Sequence, residues 1–154
     1  MKRRDLRMRR PSRARDAEFA AFTYSAQGGL LRTAYLLTGE EWTARQLVES
    51  TLVRLYLDWR GIENHLVEHQ ARRLLLQEYG GHGRRPATGA GEGTVWDTVQ
   101  RLPATQRAVA VLLLHDELAE EDVADLLDLD VEVVRSELDQ VLSAIRECSR
   151  EQAA

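Results

Sequence analysis

Residues 120–145, EEDVADLLDLDVEVVRSELDQVLSAI, hold two helical patterns divided by a short acidic turn. Over 120–127 the apolar side chains Val123, Ala124 and Leu127 fall on one face, which predicts a short helix. Asp128-Leu129-Asp130 interrupts it. Beyond the turn, Val131, Val134, Leu138, Val141, Leu142 and Ile145 step by 3, 4, 3, 1 and 3 residues, the spacing of an amphipathic helix with one apolar stripe. Asp130 stands where an N-cap carboxylate would accept from the first free amides of that helix. A short helix, a tight turn and a longer amphipathic helix outline a helix-turn-helix unit.

Upstream of this unit, residues 104–115 are apolar on nearly every side, as expected of a central buried helix. Pro103 precedes them, and its fixed φ and missing N–H favour a helix start there. Trp96, Val99 and Leu102 form a shorter lead-in. Further back, residues 80–94, GGHGRRPATGAGEGT, contain six of the ten glycines of the chain and read as a flexible linker. The linker separates a C-terminal block, 95–150, from an N-terminal block, 16–79. In the latter, Phe19, Phe22, Leu30, Leu31, Ala34, Tyr35 and Leu37 recur at helical spacing, with Gly28-Gly29 as a candidate break and Thr38-Gly39 as the end. Leu47, Val48, Leu52, Leu55 and Trp59 give a second stripe closed by Gly61. Leu66, Val67, Leu74 and Leu75 give a third, ending at Gly80-Gly81. The fold class expected is all-α: a three-helix block and a helix-turn-helix block joined by a Gly-rich linker.

Composition agrees. The chain of 154 residues is 44% hydrophobic and 30% charged, enough to bury a core in one ordinary domain or two very small ones. Aromatic residues make up only 6%, against an all-β design. No apolar run approaches the roughly 18 residues that span a bilayer, so no membrane association is expected. No apolar stretch follows the basic N-terminus, so a cleaved secretory signal is not expected either. Cys148 is the single cysteine, which excludes an internal disulfide and a cysteine-built zinc site and makes a reducing cytoplasm the default. The net charge of −4 conceals a division: residues 1–15 form a basic arm of net +7 and the rest of the chain carries −11. Such an arm, read as a flexible tail, can bind nucleic acid, fold onto the body or do neither.

Several residues together carry a family resemblance. Leu31-Arg32-Thr33-Ala34-Tyr35-Leu36-Leu37-Thr38-Gly39-Glu40, with Leu47-Val48, Leu52 and Leu55-Tyr56-Leu57-Asp58-Trp59, resembles region 2 of small bacterial sigma factors, the extracytoplasmic-function group of the sigma-70 family. Leu102-Pro103-Ala104-Thr105-Gln106-Arg107-Ala108-Val109 resembles the LPxxQR start of their region 4. His115-Asp116-Glu117-Leu118-Ala119-Glu120-Glu121-Asp122-Val123-Ala124 and Val133-Val134-Arg135-Ser136 resemble its helix-turn-helix. The order is that of the family, over about 19–146. The resemblance implies a non-enzymatic, cytoplasmic transcription initiation protein whose partners are core RNA polymerase, promoter DNA and an anti-sigma factor, with no cofactor or metal. It implies polymerase contacts at Gln46, Leu47, Val48 and Leu52. It implies DNA contacts at Trp59, Arg72 and Arg73 in region 2 and at Glu132, Arg135, Ser136 and Gln140 in the recognition helix.

The chain departs from the family in charge. Ala44-Arg45-Gln46-Leu47-Val48-Glu49 stands where an acidic "AEDLVQ"-like stretch is usual. Residues 116–151 hold thirteen acids against Arg135, Arg146 and Arg150. DNA affinity grows as cations displace condensed counterions, so this acidity favours an alternative: a degenerate sigma-like regulator that binds polymerase or another protein without reading promoters. A remote competitor lies in His65-Leu66-Val67-Glu68-His69, which spells the zinc-peptidase pattern H-x-x-E-H. Chance surface histidines are the simpler explanation. Ser136 has no arguable triad partners, and the linker glycines lack the G-K-[ST] ending of a phosphate cradle.

Overall fold

The structure, a computed structural model, describes residues 13–81 and 94–154. Most of the basic arm and the centre of the linker, including Arg84 and Arg85, lie outside the described residues. Among those described there are seven α-helices and no strand.

The N-terminal block consists of α1 (Arg13–Thr38), α2 (Glu41–Asp58) and α3 (Val67–Gly81). α1 runs unbroken through Gly28-Gly29, where the sequence suggests a break. Both glycines face outward, and Leu30, Ala34 and Leu37 bury the opposite face against α2 and α3. That packing outweighs a propensity cost of about 1 kcal/mol per glycine. α1 stops at Gly39, whose φ of 74° and N–H bond to the Tyr35 carbonyl (2.8 Å) make the left-handed cap that glycine suits. On α2, Ala44, Leu47, Val48, Thr51 and Leu55 are buried, and the Thr51 hydroxyl is satisfied by the Leu47 carbonyl. Two short 3-10 turns, Trp59–Gly61 and Asn64–Leu66, lead into α3. Leu66 belongs to the second turn and is exposed, whereas the sequence places it inward.

The C-terminal block consists of α4 (Val95–Arg101), α5 (Ala104–Ala110), α6 (Glu120–Leu127) and α7 (Val131–Ala153). α5 continues as a π-helical turn, Val111–His115, closed by the Asp116 N–H on the Val111 carbonyl. The expected buried helix over 104–115 is thus present, with its last turn widened. Glu117 follows at φ 54°, and Asp128 ends α6 at φ 54°. In α6 the buried side chains are Val123, Ala124 and Leu126; Leu127 is only half-buried. Asp130 occupies the N-cap position of α7, but its carboxylate makes no capping bond. Its backbone carbonyl accepts from Val133 and Val134 instead.

The two blocks share one core. A continuous apolar cluster runs from Leu30, Leu37, Leu47, Leu55 and Leu75 to Val109, Leu112, Val123 and Val134. α3 packs on α6, while α1 packs on α4, α5 and the π turn. A smaller cluster of Leu102, Ala110 and Val141, backed by Ala144 and Ile145, belongs to the C-terminal block alone.

Candidate functional site

Three surfaces bear on function. The first is an open groove of about 750 Å³ between α1 and α2, lined mainly by apolar side chains including Phe19, Leu31, Val48, Leu52, Val53 and Leu57. Of the four residues expected to meet polymerase, Val48 and Leu52 line this groove. Leu47 points into the core, and Gln46 is exposed on α2 beyond the groove lining. Sequence reading missed the outward apolar residues Trp42, Val53 and Leu57, the last 71% exposed. The signal was present: these three recur at spacings of 11 and 4, a second apolar stripe on a helix already supplied with one.

Trp59 lies at the end of α2. It is half-buried against α1, edge-on to Phe19 (centroids 5.2 Å apart) and tilted to Phe22 (5.6 Å).

The second surface is the junction of the blocks. Arg72 and Arg73, expected to face DNA, sit on α3 beside His69 and meet carboxylates of the C-terminal block. Arg73 Nη2 is 2.7 Å from Asp125 Oδ2, and His69 Nε2 is 2.8 Å from the same oxygen. The His69 hydrogen bond, aided by the Arg73 charge, holds the Asp125 carboxyl below its ordinary range. Arg72 Nε lies 3.8 Å from Asp116 Oδ2. The Asp116 carboxylate, 6% exposed, also accepts from the Thr33 hydroxyl (2.9 Å) and stands 2.7 Å from His115 Nδ1. Beneath these pairs, Gln100 donates to the Leu36 carbonyl and Arg107 to the Leu37 carbonyl, each at 2.9 Å. Arg107 donates also to the carbonyls of Gln100 and Leu102. Both acceptors on α1 belong to its last turn, whose carbonyls have no partner within the helix.

The third surface is the exposed face of α7. Glu132, Ser136 and Gln140 follow one another at i,i+4 spacing there, with Arg135 alongside. Arg135 is held by two carboxylates, Nε to Glu120 and Nη1 to Glu132, both at 2.6 Å. The bond and charge of Glu120, with Glu132 adding to them, raise its pKa and keep it cationic. Gln140 accepts from the Gln106 side chain at 2.9 Å.

The H-x-x-E-H residues do not converge. His65 lies in a 3-10 turn beside Glu63, His69 is engaged with Asp125, and Glu68 lies beside Arg72. Among the described residues no three His, Cys, Asp or Glu side chains are grouped as metal ligands, and no helix is long and apolar enough to cross a membrane.

The architecture is that of a sigma factor. It superposes on the sigma factor RpoE of Bartonella quintana, solved with the anti-sigma factor NepR, with a TM-score of 0.73 and 15% identity over 86% of this chain and 97% of that one. In sequence the chain is 26% identical to the RNA polymerase sigma-E factor of Streptomyces avermitilis, over 84% of each chain. No family model matches it. The chain thus shares the fold of one sigma factor and is similar in sequence to another, in keeping with the ordered motifs of its sequence.

Proposed function

We propose that this protein is a sigma factor: it binds core RNA polymerase and directs it to promoter DNA, without catalysis of its own and in the cytoplasm. The observation that carries the reading is the apolar α1–α2 groove, set on the region 2-like block of a chain related in sequence to an RNA polymerase sigma factor. A large exposed apolar surface rimmed by polar groups marks a protein-binding site. Val48, Leu52, Val53 and Leu57 are the polymerase contacts, with Gln46 at the margin. Trp59, Arg72 and Arg73 serve DNA in the N-terminal block. In the C-terminal block that task falls to Arg135, Ser136, Glu132 and Gln140. Reading by α7 requires Arg135 to exchange Glu120 and Glu132 for base or phosphate acceptors. The basic arm supplies the cations that α7 lacks. An anti-sigma factor is a further partner, as for the Bartonella neighbour. The alternative of a regulator that reads no promoter is the less supported of the two, because both named relatives are sigma factors.

The test is a selection on genomic DNA fragments by core polymerase, with and without the protein. A two-part motif of fixed spacing, recovered only with the protein, is expected. Leu57→Glu, on the exposed rim of the groove, should lower polymerase affinity about tenfold or more while leaving the melting curve unchanged. Polymerase binding without an enriched motif would overturn promoter reading. Undiminished binding by Leu57→Glu would remove the groove from the interface.

A further inference from the structure

We infer that the cleft between α1, α3 and the π turn is a binding site for a small phosphomonoester: Arg32 and Arg72 hold its phosphate group, and its organic part lies on Phe22 and Ala71. The inference goes beyond the sigma factor reading, because it gives this cleft a ligand that is neither polymerase nor DNA.

The cleft has a volume of about 340 Å³, within the range of about 300–1,000 Å³ that small-molecule sites occupy. Phe22, Leu30 and Ala71 give it an apolar floor, and Arg32, Thr33, Arg72, His115 and Asp116 stand around them. Two local irregularities meet there. The π turn Val111–His115 holds about one residue more per turn than an α-helix and brings His115 and Asp116 round to α1 and α3. Such turns are frequent at functional sites. The second irregularity is Gly29, which lines the cleft in mid-helix, although glycine is the poorest helix former after proline. No packing contact requires it: a Cβ there would meet no heavy atom within 4 Å. A longer side chain at this position would extend into the cleft, so the glycine keeps it open.

The cations of the cleft have donors to offer. Arg32 is exposed and forms no ion pair among the described residues. Its guanidinium lies back over Gly28, with Nη1 3.9 Å from where a Cβ of that residue would stand. Arg72 is half-buried, and its two carboxylate neighbours, Glu68 Oε2 and Asp116 Oδ2, both lie 3.8 Å away, beyond hydrogen-bonding distance. The Asp116 carboxylate is turned instead to the Thr33 hydroxyl at 2.9 Å and to His115 Nδ1 at 2.7 Å, which offset its charge towards an anion. Glu68 is exposed and free to swing into water. A phosphate group matches the guanidinium fork with several acceptor oxygens and forms charge-assisted bonds with it. The apolar floor and the room beyond one phosphate call for an organic group attached to it.

The test follows the Nε–H signals of Arg32 and Arg72 and the amides of Gly28 and Gly29 by NMR, in the full chain and at constant ionic strength. The probes are phenyl phosphate, inorganic phosphate and phenol. Phenyl phosphate should saturate these signals with a Kd of about 1 mM or below, about tenfold tighter than inorganic phosphate, and phenol should leave them in place. Arg32→Gln should weaken phenyl phosphate about tenfold. Arg101→Gln removes the same charge from an exposed position on α4 and should change its affinity less than twofold. Gly29→Leu should melt at or above the wild-type temperature, because leucine favours the helix, and yet lose the ligand. Normal binding by Gly29→Leu, or equal losses in Arg32→Gln and Arg101→Gln, would overturn the site. Equal affinities for phenyl phosphate and inorganic phosphate would overturn the assignment to a phosphomonoester. A single-stranded DNA of about 20 nucleotides should bind Gly29→Leu and the wild type within twofold of each other. If Gly29→Leu loses DNA together with phenyl phosphate, the cleft belongs to the DNA path: the small ligand falls and the DNA role of Arg72 stands. No shift with any probe up to about 20 mM would overturn the inference and leave a cleft filled by water.

Discussion

Arg107 lies in the interior, 8% exposed, and forms no ion pair among the described residues. Its charge is met by carbonyls alone, one of them in the last turn of α1, where the negative end of the helix dipole lies. A guanidinium suits this position because its planar fork reaches several acceptors at once, which an ammonium on a flexible stem cannot do without losing more freedom. Arg107→Met should therefore cost about 2–3 kcal/mol, since it keeps the volume but strands three buried carbonyls. Urea denaturation checks this; a loss below about 0.5 kcal/mol would mean that water replaces the side chain freely. In the sequence Arg107 is visible as part of LPxxQR, but its partner is not. A lone arginine within an apolar run gives no sign of the carbonyl it caps seventy residues earlier. Asp130 illustrates the converse: its N-cap position was legible, while the absence of a side-chain bond depends on a rotamer that no spacing encodes.

Elements follow the periodic pattern where one face is apolar and depart from it elsewhere. α6 and α7 were legible because their apolar stripes are narrow. α2 was half legible: one stripe forms core and the other, Trp42, Val53 and Leu57, lines or flanks the groove. α4, only seven residues long, owes its start to a capping box that the sequence reading passed over. The Thr94 hydroxyl accepts from the Asp97 N–H, and the Asp97 carboxylate accepts from the Thr94 N–H and hydroxyl. The Thr94 hydroxyl, then its amide, hold the Asp97 carboxyl below its ordinary 3.8. The folded state thus binds the proton less readily than the unfolded one. The resulting stability is complete above the unfolded pKa and is lost as pH falls through the lower folded value. Lowering the pH from about 5 to about 3 should destabilise the wild type more than Asp97→Asn, which has no carboxylate to protonate there. Parallel curves of melting temperature against pH would assign the acid sensitivity to other groups.

At the scale of the whole molecule, the linker suggests two modules, and the structure packs them on one core. That this packing is not legible in the sequence has a physical origin. Helical periodicity shows which face of a helix is apolar, not which helix covers it. The junction is also oriented by Gln100, Arg107, Asp116 and Asp125, polar residues that in sequence alone read as surface. If the core is shared, unfolding must be shared as well, because separating the blocks would expose Leu112 and the residues it touches to water. Leu112 is 0% exposed, sits in the π turn and belongs to the cluster that joins α1, α2 and α3 to α6 and α7. Leu112→Ala should cost about 2–5 kcal/mol, the lost transfer energy plus the cavity. Two natural reporters divide the molecule. Trp59 packs on Phe19 and Phe22 in the N-terminal block, and Trp96 of α4 stacks on Tyr35 of α1 at 5.6 Å. In variants that keep only one of these tryptophans, Leu112→Ala should lower both fluorescence midpoints equally, although the substitution lies in the C-terminal block. A Trp59 midpoint that stayed at its wild-type value while that of Trp96 fell would show that the blocks melt separately. The junction between the blocks would then be held by its ion pairs and carbonyl bonds alone. In that case salt, which screens the exposed pairs over about 8 Å, would weaken it.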